Sequence, residues 1–407
     1  MPTEPLSLDD ARKRILDAAP PIASIDLPLA EVQGCVLARE VVGEYDLPPF
    51  SAAAADGFAV RAADIFGASE MKPVPLRIAG SVRSGRPPDA TVGWGEAVRV
   101  VRGAPIPAGA DCVVPGGAFR LEGEQVEVVR QLSAGEHIDP AGEDVRAGSV
   151  LVPAGRRLSA AEVGLLAAAG HATAVAYPKM RVAVVSVGPT LVEPGRPAAF
   201  GQLRDANSFS IVAALREAGT VPYRLPLVRD ADAELRELLL SNLSRADAFV
   251  CSGAMEDDAD IPALLAGVGE IETYRVQMYP GGAIGFGLVE GQPFFSLPAE
   301  PVSAFVAFEA LVRPVILQMM GRRDLARPEV TAVLDRPIGG PAGLTLFVPA
   351  RVGRRDGRWH CVPTGPAHPR RLAAVVEANG LVVVPPGDRG LGAGEEVRVQ
   401  IFRPLDR

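Results

Sequence analysis

Four loops in the second half of the chain hold the residue types that phosphate and metal chemistry uses. Asp205 and Asn207 sit in RDANS, Asp230 in VRDAD, and SGAMEDDAD carries Glu256, Asp257, Asp258 and Asp260. YPGGAIGFG adds a glycine turn around Gly281. Clustered carboxylates suit a hard cation such as Mg2+ bridging phosphate or other oxyanion groups. A glycine-rich turn lets backbone come close to such a group. Solvated loop acids and ordinary turn glycines explain any one of these loops equally well. Nearer the N-terminus, SAAAADGFAVRAAD puts Asp56 beside Gly57, and AGEDVRAG sets Glu143 and Asp144 between two glycines. Asx-type turns are the bland account of both. Cys35, Cys112, Cys251 and Cys361 lie far apart, and neither they nor His137, His171, His360 and His368 have metal-ligand spacing. A zinc site or disulfide framework is therefore not expected, and a reducing cytoplasm fits. Cys112 and Cys251 sit in apolar contexts and read as core.

The elements expected to position these loops begin at Arg181. RVAVVSV is a near-continuous apolar run, as buried parallel strands are. Helix 209–218, strand 223–228, helix 231–241, strand 248–251, helix 262–266 and strand 274–278 follow. Two further short strands and a long helix, 302–319, close the unit. This alternation predicts a parallel or mostly parallel α/β domain, with ligands beyond the carboxyl ends of its strands. The loops after Val187, Val228, Cys251 and Met278 are the places that rule selects. Upstream, Ser7 with Asp10 and Ser159 with Glu162 have capping-box spacing for two helices. Residues 30–42 read as a helix or a helix–strand mixture. Short apolar runs with Gly and Pro between about 50 and 137 predict a small β module, and those after about 327 a separate β-barrel or β-sandwich.

Composition narrows the function classes. The 407 residues carry a net charge of −8, are 48% hydrophobic and contain 5% aromatics. A net negative charge disfavours nucleic-acid binding, and the aromatics are too few for repeated base-stacking platforms. The acidic start, MPTEPLSLDD, lacks the apolar segment of a signal peptide. No run of about 18 apolar residues is evident, so membrane insertion is not expected. Of the 41 basic residues only three are lysines, Lys13, Lys72 and Lys179, and none follows position 179.

Taken together, SAAAADGFAVRAADI, VRVVRGAPIPAGADCVV, AGEDVRAGSVL, VSVGPTL, RDANS, LVRDAD, YPGG with GFG, LPAEPVSA and EANGLVVVP resemble, in order and over nearly the whole chain, the MoeA proteins and the gephyrin E domain. The resemblance implies a multi-domain α/β plus β architecture, a MoeA-like elongated dimer. Residues 1–48 and 143–178 would form an elongated N-terminal or linker domain, and 49–142 a β insertion. Residues 179–325 would form an α/β molybdopterin-binding-type domain, and 326–407 a C-terminal β-barrel. It implies a homodimer whose crevice lies between the α/β domain of one chain and parts of the other. The implied activity is insertion of molybdate into adenylated molybdopterin, with Mg2+ as cofactor and AMP as product. Carried over residue by residue, it makes Asp56, Asp144, Asp230 and Asp260 catalytic, with Asp230 and Asp260 also metal ligands. Asp205, Asn207, Gly188, Gly253, Gly281, Pro298, Pro301 and Ser303 become substrate-binding.

This sequence departs from the pattern at chemically pointed places. Arg102 replaces a small hydroxyl, and Gly188-Pro189-Thr190-Leu191 lacks the two acids of G-D-E-L. Met255 and Glu256 replace small neutral residues, and Glu300 adds a charge. Tyr279 and Gly282 stand where K-P-G-K-P has lysines, and Pro366-Ala367-His368 where Q-G-S is expected. The substrates are anions, and losing one preorganised donor of this kind typically costs about 100- to 1000-fold in rate. Two readings follow. One is a working or weakened molybdotransferase. The other is a gephyrin-like dimeric scaffold without catalysis, binding a partner peptide, for example of the cell-division machinery, in a groove at the α/β and C-terminal domains.

Overall fold

The protein, as a computed structural model, is described over residues 4–19, 21–229, 233–253, 261–387 and 390–405. It divides into two compact units, one of Met1–Asp26, Gly34–Ala38 and Val175–Arg407, the other of Leu27–Gln33 and Arg39–Ala174. The chain opens with helix α1 (Leu8–Ala18), whose N-cap Ser7 accepts a hydrogen bond from the Asp10 N–H. The helix considered over 30–42 does not form. Val36 and Leu37 pair instead with Tyr177 and Ala176, so a tertiary partner overrides a weak local preference.

The unit built on 39–174 holds a six-stranded sheet, in the order Cys112–Pro115, Gly57–Val60, Glu96–Val100, Val74–Val82, Gln125–Val128, Phe119–Glu122. Both faces are covered. Phe58 and Val60 join one apolar cluster with Leu76, Val114 and Val126, while Ala59 joins another with Val98 and Val113. This is the period-2 alternation of a strand resolved onto two cores. Helix α2 (Ala160–Ala168) starts at a complete capping box of Ser159 and Glu162.

The other unit contains the α/β sheet. Its strands are β1 (Arg181–Ser186), β2 (Val221–Arg224), β3 (Ala248–Ser252), β4 (Gly269–Arg275), β5 (Ala283–Val289) and β6 (Gln292–Leu297), in the order β2-β1-β3-β6-β5-β4. β2, β1, β3 and β6 are parallel, and β5 and β4 are added antiparallel. Val182 and Val184 enter one core with helix α3 (Asn207–Glu217), while Ala183 and Val185 enter the other with Leu235 and Leu239 of α4 (Ala233–Ser241). Burial on both faces is why the β1 sequence shows no polar alternation.

The strand expected over 274–278 is a correction. The chain leaves the sheet after Arg275, and Met278–Tyr279 pair instead with Thr345–Leu346 of the C-terminal domain. The fourth parallel strand is β6, which lies on the other side of the 279–282 turn in sequence. After β6 comes α5 (Pro301–Met319), which contains a π stretch at Phe308–Val312. Pro314 has no N–H to give the carbonyl four residues back, and the Arg313 N–H bonds to Phe308 O instead. This helix is long and apolar enough to cross a membrane, but 89% of its apolar window is buried in the core. It also carries Glu309 and Arg313 within that core.

The tail closes on itself. Strands β7 (Glu329–Leu334), β8 (Thr345–Arg355), β9 (Arg358–Pro363), β10 (Gly380–Val384) and β11 (Glu396–Ile401) pair as β8-β9-β7-β11-β10, and β10 pairs back to β8. The result is a five-stranded barrel with Leu334, Val348, Cys361, Val382 and Val399 inside. A short helix, α6 (Leu372–Glu377), sits between β9 and β10.

Candidate functional site at the carboxyl edge of the sheet

Three central parallel strands end side by side, and hydrogen bonds join their ends. Ser186 and Ser252 are neighbours in register at the last positions of β1 and β3. The Ser186 hydroxyl donates to Asp205 Oδ1 at 2.9 Å, and the Ser252 hydroxyl donates to Pro298 O at 3.0 Å. Asn207, the first residue of α3, donates from Nδ2 to Ser252 Oγ and to Ala299 O, each at 2.7 Å. The ends of β1, β3 and β6 and the start of α3 are thereby held in one arrangement.

Asp205 is the electrostatic centre of this edge. It is buried and accepts from the Ser208 N–H at 3.1 Å, from the Ser208 hydroxyl, and from Arg224 Nη2 at 3.2 Å. Arg224, at the end of β2, also donates to both oxygens of Glu193, at 2.9 and 3.1 Å, and its guanidinium stacks 3.9 Å from the Phe209 ring centroid. A buried carboxylate needs this compensation. With its oxygens committed, Asp205 orients the edge and does not fit the role of a Mg2+ ligand.

The glycines shape the same edge. Gly253 has φ 95°, and a Cβ there would lie 2.1 Å from Val187 O. Its N–H donates to Leu297 O at 3.1 Å, and that of Gly188 to Val228 O at 3.0 Å. Gly281 has φ 96°, and a Cβ would meet Ser303 O at 2.7 Å. At Gly282 a Cβ would lie 2.6 Å from Val276 O and 2.7 Å from Met278 O. Tyr279 is packed against the barrel core. The turn thus has no room for a side chain at 282 and sets the half-buried side chain at 279 against the barrel core.

Pro301 begins α5, and Ser303 is buried in its first turn. Asp56 and Asp144 belong to the other compact unit. Both are exposed, and Asp56 Oδ1 accepts from the Arg102 N–H at 2.7 Å. Arg102 therefore meets Asp56 through its main chain. Asp230 and Asp260, with Met255 to Asp258, lie outside the described residues. Among the described residues, no group of three or more His, Cys, Asp or Glu comes together to hold a metal ion. All four cysteines are buried and none is in a disulfide. Burial pushes the Cys112 thiol up to about 12 and that of Cys361 up to about 11, far from nucleophilic use at neutral pH.

Ser186, Ser252, Arg224 and Glu193 were not singled out by the motifs. The available signal was a hydroxyl residue closing each apolar strand run, in RVAVVS and AFVCS.

A doubly covered, mostly parallel sheet with a hydrogen-bonded carboxyl edge, followed by a closed barrel, defines an α/β protein with an appended β domain. Family profiles agree segment by segment. Residues 6–170 match the MoeA N-terminal region (domain I and II), 183–318 a probable molybdopterin binding domain, and 331–402 the MoeA C-terminal region (domain IV). The chain is 36% identical to molybdopterin molybdenumtransferase 1 of Mycobacterium tuberculosis, over 97% of this chain and 98% of that protein. It is 29% identical to the Haemophilus influenzae molybdopterin molybdenumtransferase, over 98% and 99%. A MoeA crystal structure from Pyrococcus horikoshii superposes with a TM-score of 0.82 at 29% identity, covering 98% of this chain and all of that one. The chain belongs to the MoeA family.

Proposed function

We propose that this protein is a molybdopterin molybdotransferase of molybdenum cofactor biosynthesis, inserting molybdate into adenylated molybdopterin with release of AMP. The observation that carries the reading is the fixed strand-end edge around Asp205 and Asn207, in a chain that aligns with curated molybdopterin molybdenumtransferases over nearly all its length. A preorganised edge suits transfer chemistry, because donors and backbone need no rearrangement as charge develops. In this reading Asn207 and Ser252 hold the 298–301 turn against the substrate, and Gly188 and Gly253 allow it close to the backbone. Asp56 and Asp144 would act as further acids. Mg2+ would be held by Asp230 and Asp260 and would neutralise phosphate oxygens. The working form would be a cytoplasmic homodimer.

The test is rescue of a strain lacking its molybdotransferase, together with Mg2+- and molybdate-dependent AMP release by the purified protein. Failure of both, where an intact homologue succeeds, removes the catalytic reading. Scattering from the purified protein separates dimer from monomer.

A peptide-binding scaffold is the alternative reading, and the relatives, named as transferases, speak for the enzyme instead. A cavity of about 240 Å³ opens between α3, α5 and the C-terminal domain, lined by Phe305, Val376 and Phe402 with Glu309 and Arg327. Phe305 and Phe402 meet edge to face at 5.6 Å. A deletion that leaves molybdoenzymes fully active but disturbs cell division would favour this reading. A deletion that abolishes molybdoenzyme activity alone would end it.

A further inference from the structure

Two separate segments converge on the first turn of α5. From one side, Gly281 brings the 279–282 turn against Ser303 O, and its neighbour Gly282 lies under the carbonyls of Val276 and Met278. From the other, the 364–371 loop of the barrel domain docks by the Val302 N–H, which donates to Pro369 O at 2.9 Å. That loop is itself well fixed. The Thr364 hydroxyl lies 2.6 Å from Ala374 O and 3.1 Å from Pro349 O, and the Arg370 N–H donates to His368 Nδ1 at 3.1 Å. Asn207 holds the adjoining Ala299 O from the sheet side.

The charges on these segments are unequal. The 279–282 turn has no cation and no space for one at 282. The loop carries Arg370, whose Nη2 lies 3.8 Å from Glu300 Oε1, with the arginine side chain 74% exposed and the glutamate 27%. Glu300 is the N-cap residue of α5, yet its side chain makes no capping hydrogen bond. A 3.8 Å separation is long for a charge-assisted hydrogen bond, and so loose a pair with an exposed arginine contributes little to stability. Arg224, by contrast, is committed to Asp205 and Glu193. Arg370 is thus a loosely held cation on the 364–371 loop, beside the 298–301 turn that Asn207 clamps to the strand ends.

We propose that Arg370 is an anion-binding residue of this edge, taking a tetrahedral oxyanion of the substrate, and that Glu300 competes with that anion for it. The inference rests on the proposed function. The oxyanion is either molybdate or the phosphate of the nucleotide portion, and a planar guanidinium suits both. Glu300 then lowers apparent affinity when the site is empty, and its release on binding offsets part of the gain.

The test uses the full chain and two probes, molybdate alone and AMP alone, titrated calorimetrically. Arg370→Ala weakens one of the two by about tenfold or more, the effect of losing a charge-assisted contact. Glu300→Gln tightens the same probe several-fold, and Arg370→Lys recovers part of the loss. The melting temperatures of all variants stay within a few degrees of the parent, since the pair is long and its arginine is exposed. If both probes bind the parent and neither variant moves either, the inference is wrong and the molybdotransferase reading stands. If Glu300→Gln weakens binding as Arg370→Ala does, the pair is structural and the inference is likewise overturned. If the parent binds neither probe nor adenylated molybdopterin, the inference and the proposed function fall together.

Discussion

Arg224 and Asp205 form an ion pair in which the acid is almost wholly removed from water. Nη2 lies 3.2 Å from Oδ2, and the side chains are 24% and 1% exposed. The acid terminates a loop and the arginine terminates β2, so the pair joins the end of β2 to the start of α3, and Ser186 ties in the end of β1. Removing one partner of a buried pair leaves an uncompensated charge, which costs about 3–5 kcal/mol. Arg224 keeps some contact with water, so Arg224→Met belongs at the lower end, about 3 kcal/mol, read by urea denaturation. A loss below about 1 kcal/mol would mean that Ser186 and Ser208 alone can hold the charge. Arg224→Met also frees Glu193, so the 193–202 segment gains amide exchange.

Reversing the two departures in the 279–282 turn does not restore a lysine site. In Gly282→Lys the new Cβ meets carbonyl oxygens of Val276 and Met278 at 2.6 and 2.7 Å, and forced overpacking of this kind costs about 1–3 kcal/mol. Tyr279→Lys puts an ammonium where the ring packs on the barrel core, a desolvation cost for the charged form. Both variants are expected to melt lower and to show no gain in molybdate-dependent AMP release. A stable Gly282→Lys with raised turnover would show that the turn is free to rearrange.

The capping box of α2 sets a pH dependence with a definite sign. The Ser159 hydroxyl, then the Ser159 N–H, then Arg156 hold the Glu162 carboxyl down to about 2. The N–H contact is 2.8 Å and the Arg156 Nε contact 2.9 Å. A depressed carboxylate gives stability that is present above its unfolded pKa and is lost as pH falls through its folded value. The window therefore runs from the ordinary glutamate range down to about 2. A carbon-13 titration of Glu162 should show a midpoint near that lower limit, and Glu162→Gln should flatten the acid response of α2 amide exchange. A midpoint at 4 or above would mean that the box is open in solution.

What could be read from the residues and what could not divide along the range of the contacts. The β1 run and the Ser159–Glu162 box are local patterns, and both appear as expected. Asp205 and Asn207 were placed at a strand-end edge by the βαβ alternation, because that alternation fixes where the loops emerge. Their partners were not visible. Arg224 is a charge at the end of a strand, and only the pairing of β1 with β2 brings it to Asp205. Residues 274–278 depart from the expected single strand for a similar reason. Hydropathy marks Tyr274, Val276 and Met278 as apolar, but cannot say that the chain changes sheets between Arg275 and Met278. The fate of the 279 and 282 positions is likewise tertiary, set by the barrel and by carbonyls several residues away.

The helix carrying the 299–303 turn depends on a contact from the far end of the unit. Pro314 cannot donate to Ala310 O, and Ala310 is buried. The Arg12 Nε, from α1, donates to that carbonyl at 3.1 Å, and burial lowers the pKa of the Arg12 guanidinium. The arginine thus supplies the hydrogen bond that the proline withholds. Arg12→Met leaves a buried carbonyl unpaired and costs about 1–3 kcal/mol. Pro314→Ala restores an N–H that can reach Ala310 O by closing the π turn into an ordinary α turn. In the Pro314→Ala background Arg12→Met should therefore cost much less. A double-mutant cycle should report a coupling of about 1 kcal/mol or more. Additive costs would show that Arg12 acts through its ion pair with Asp9, at 3.4 Å, and that the orphaned carbonyl is satisfied in some other way.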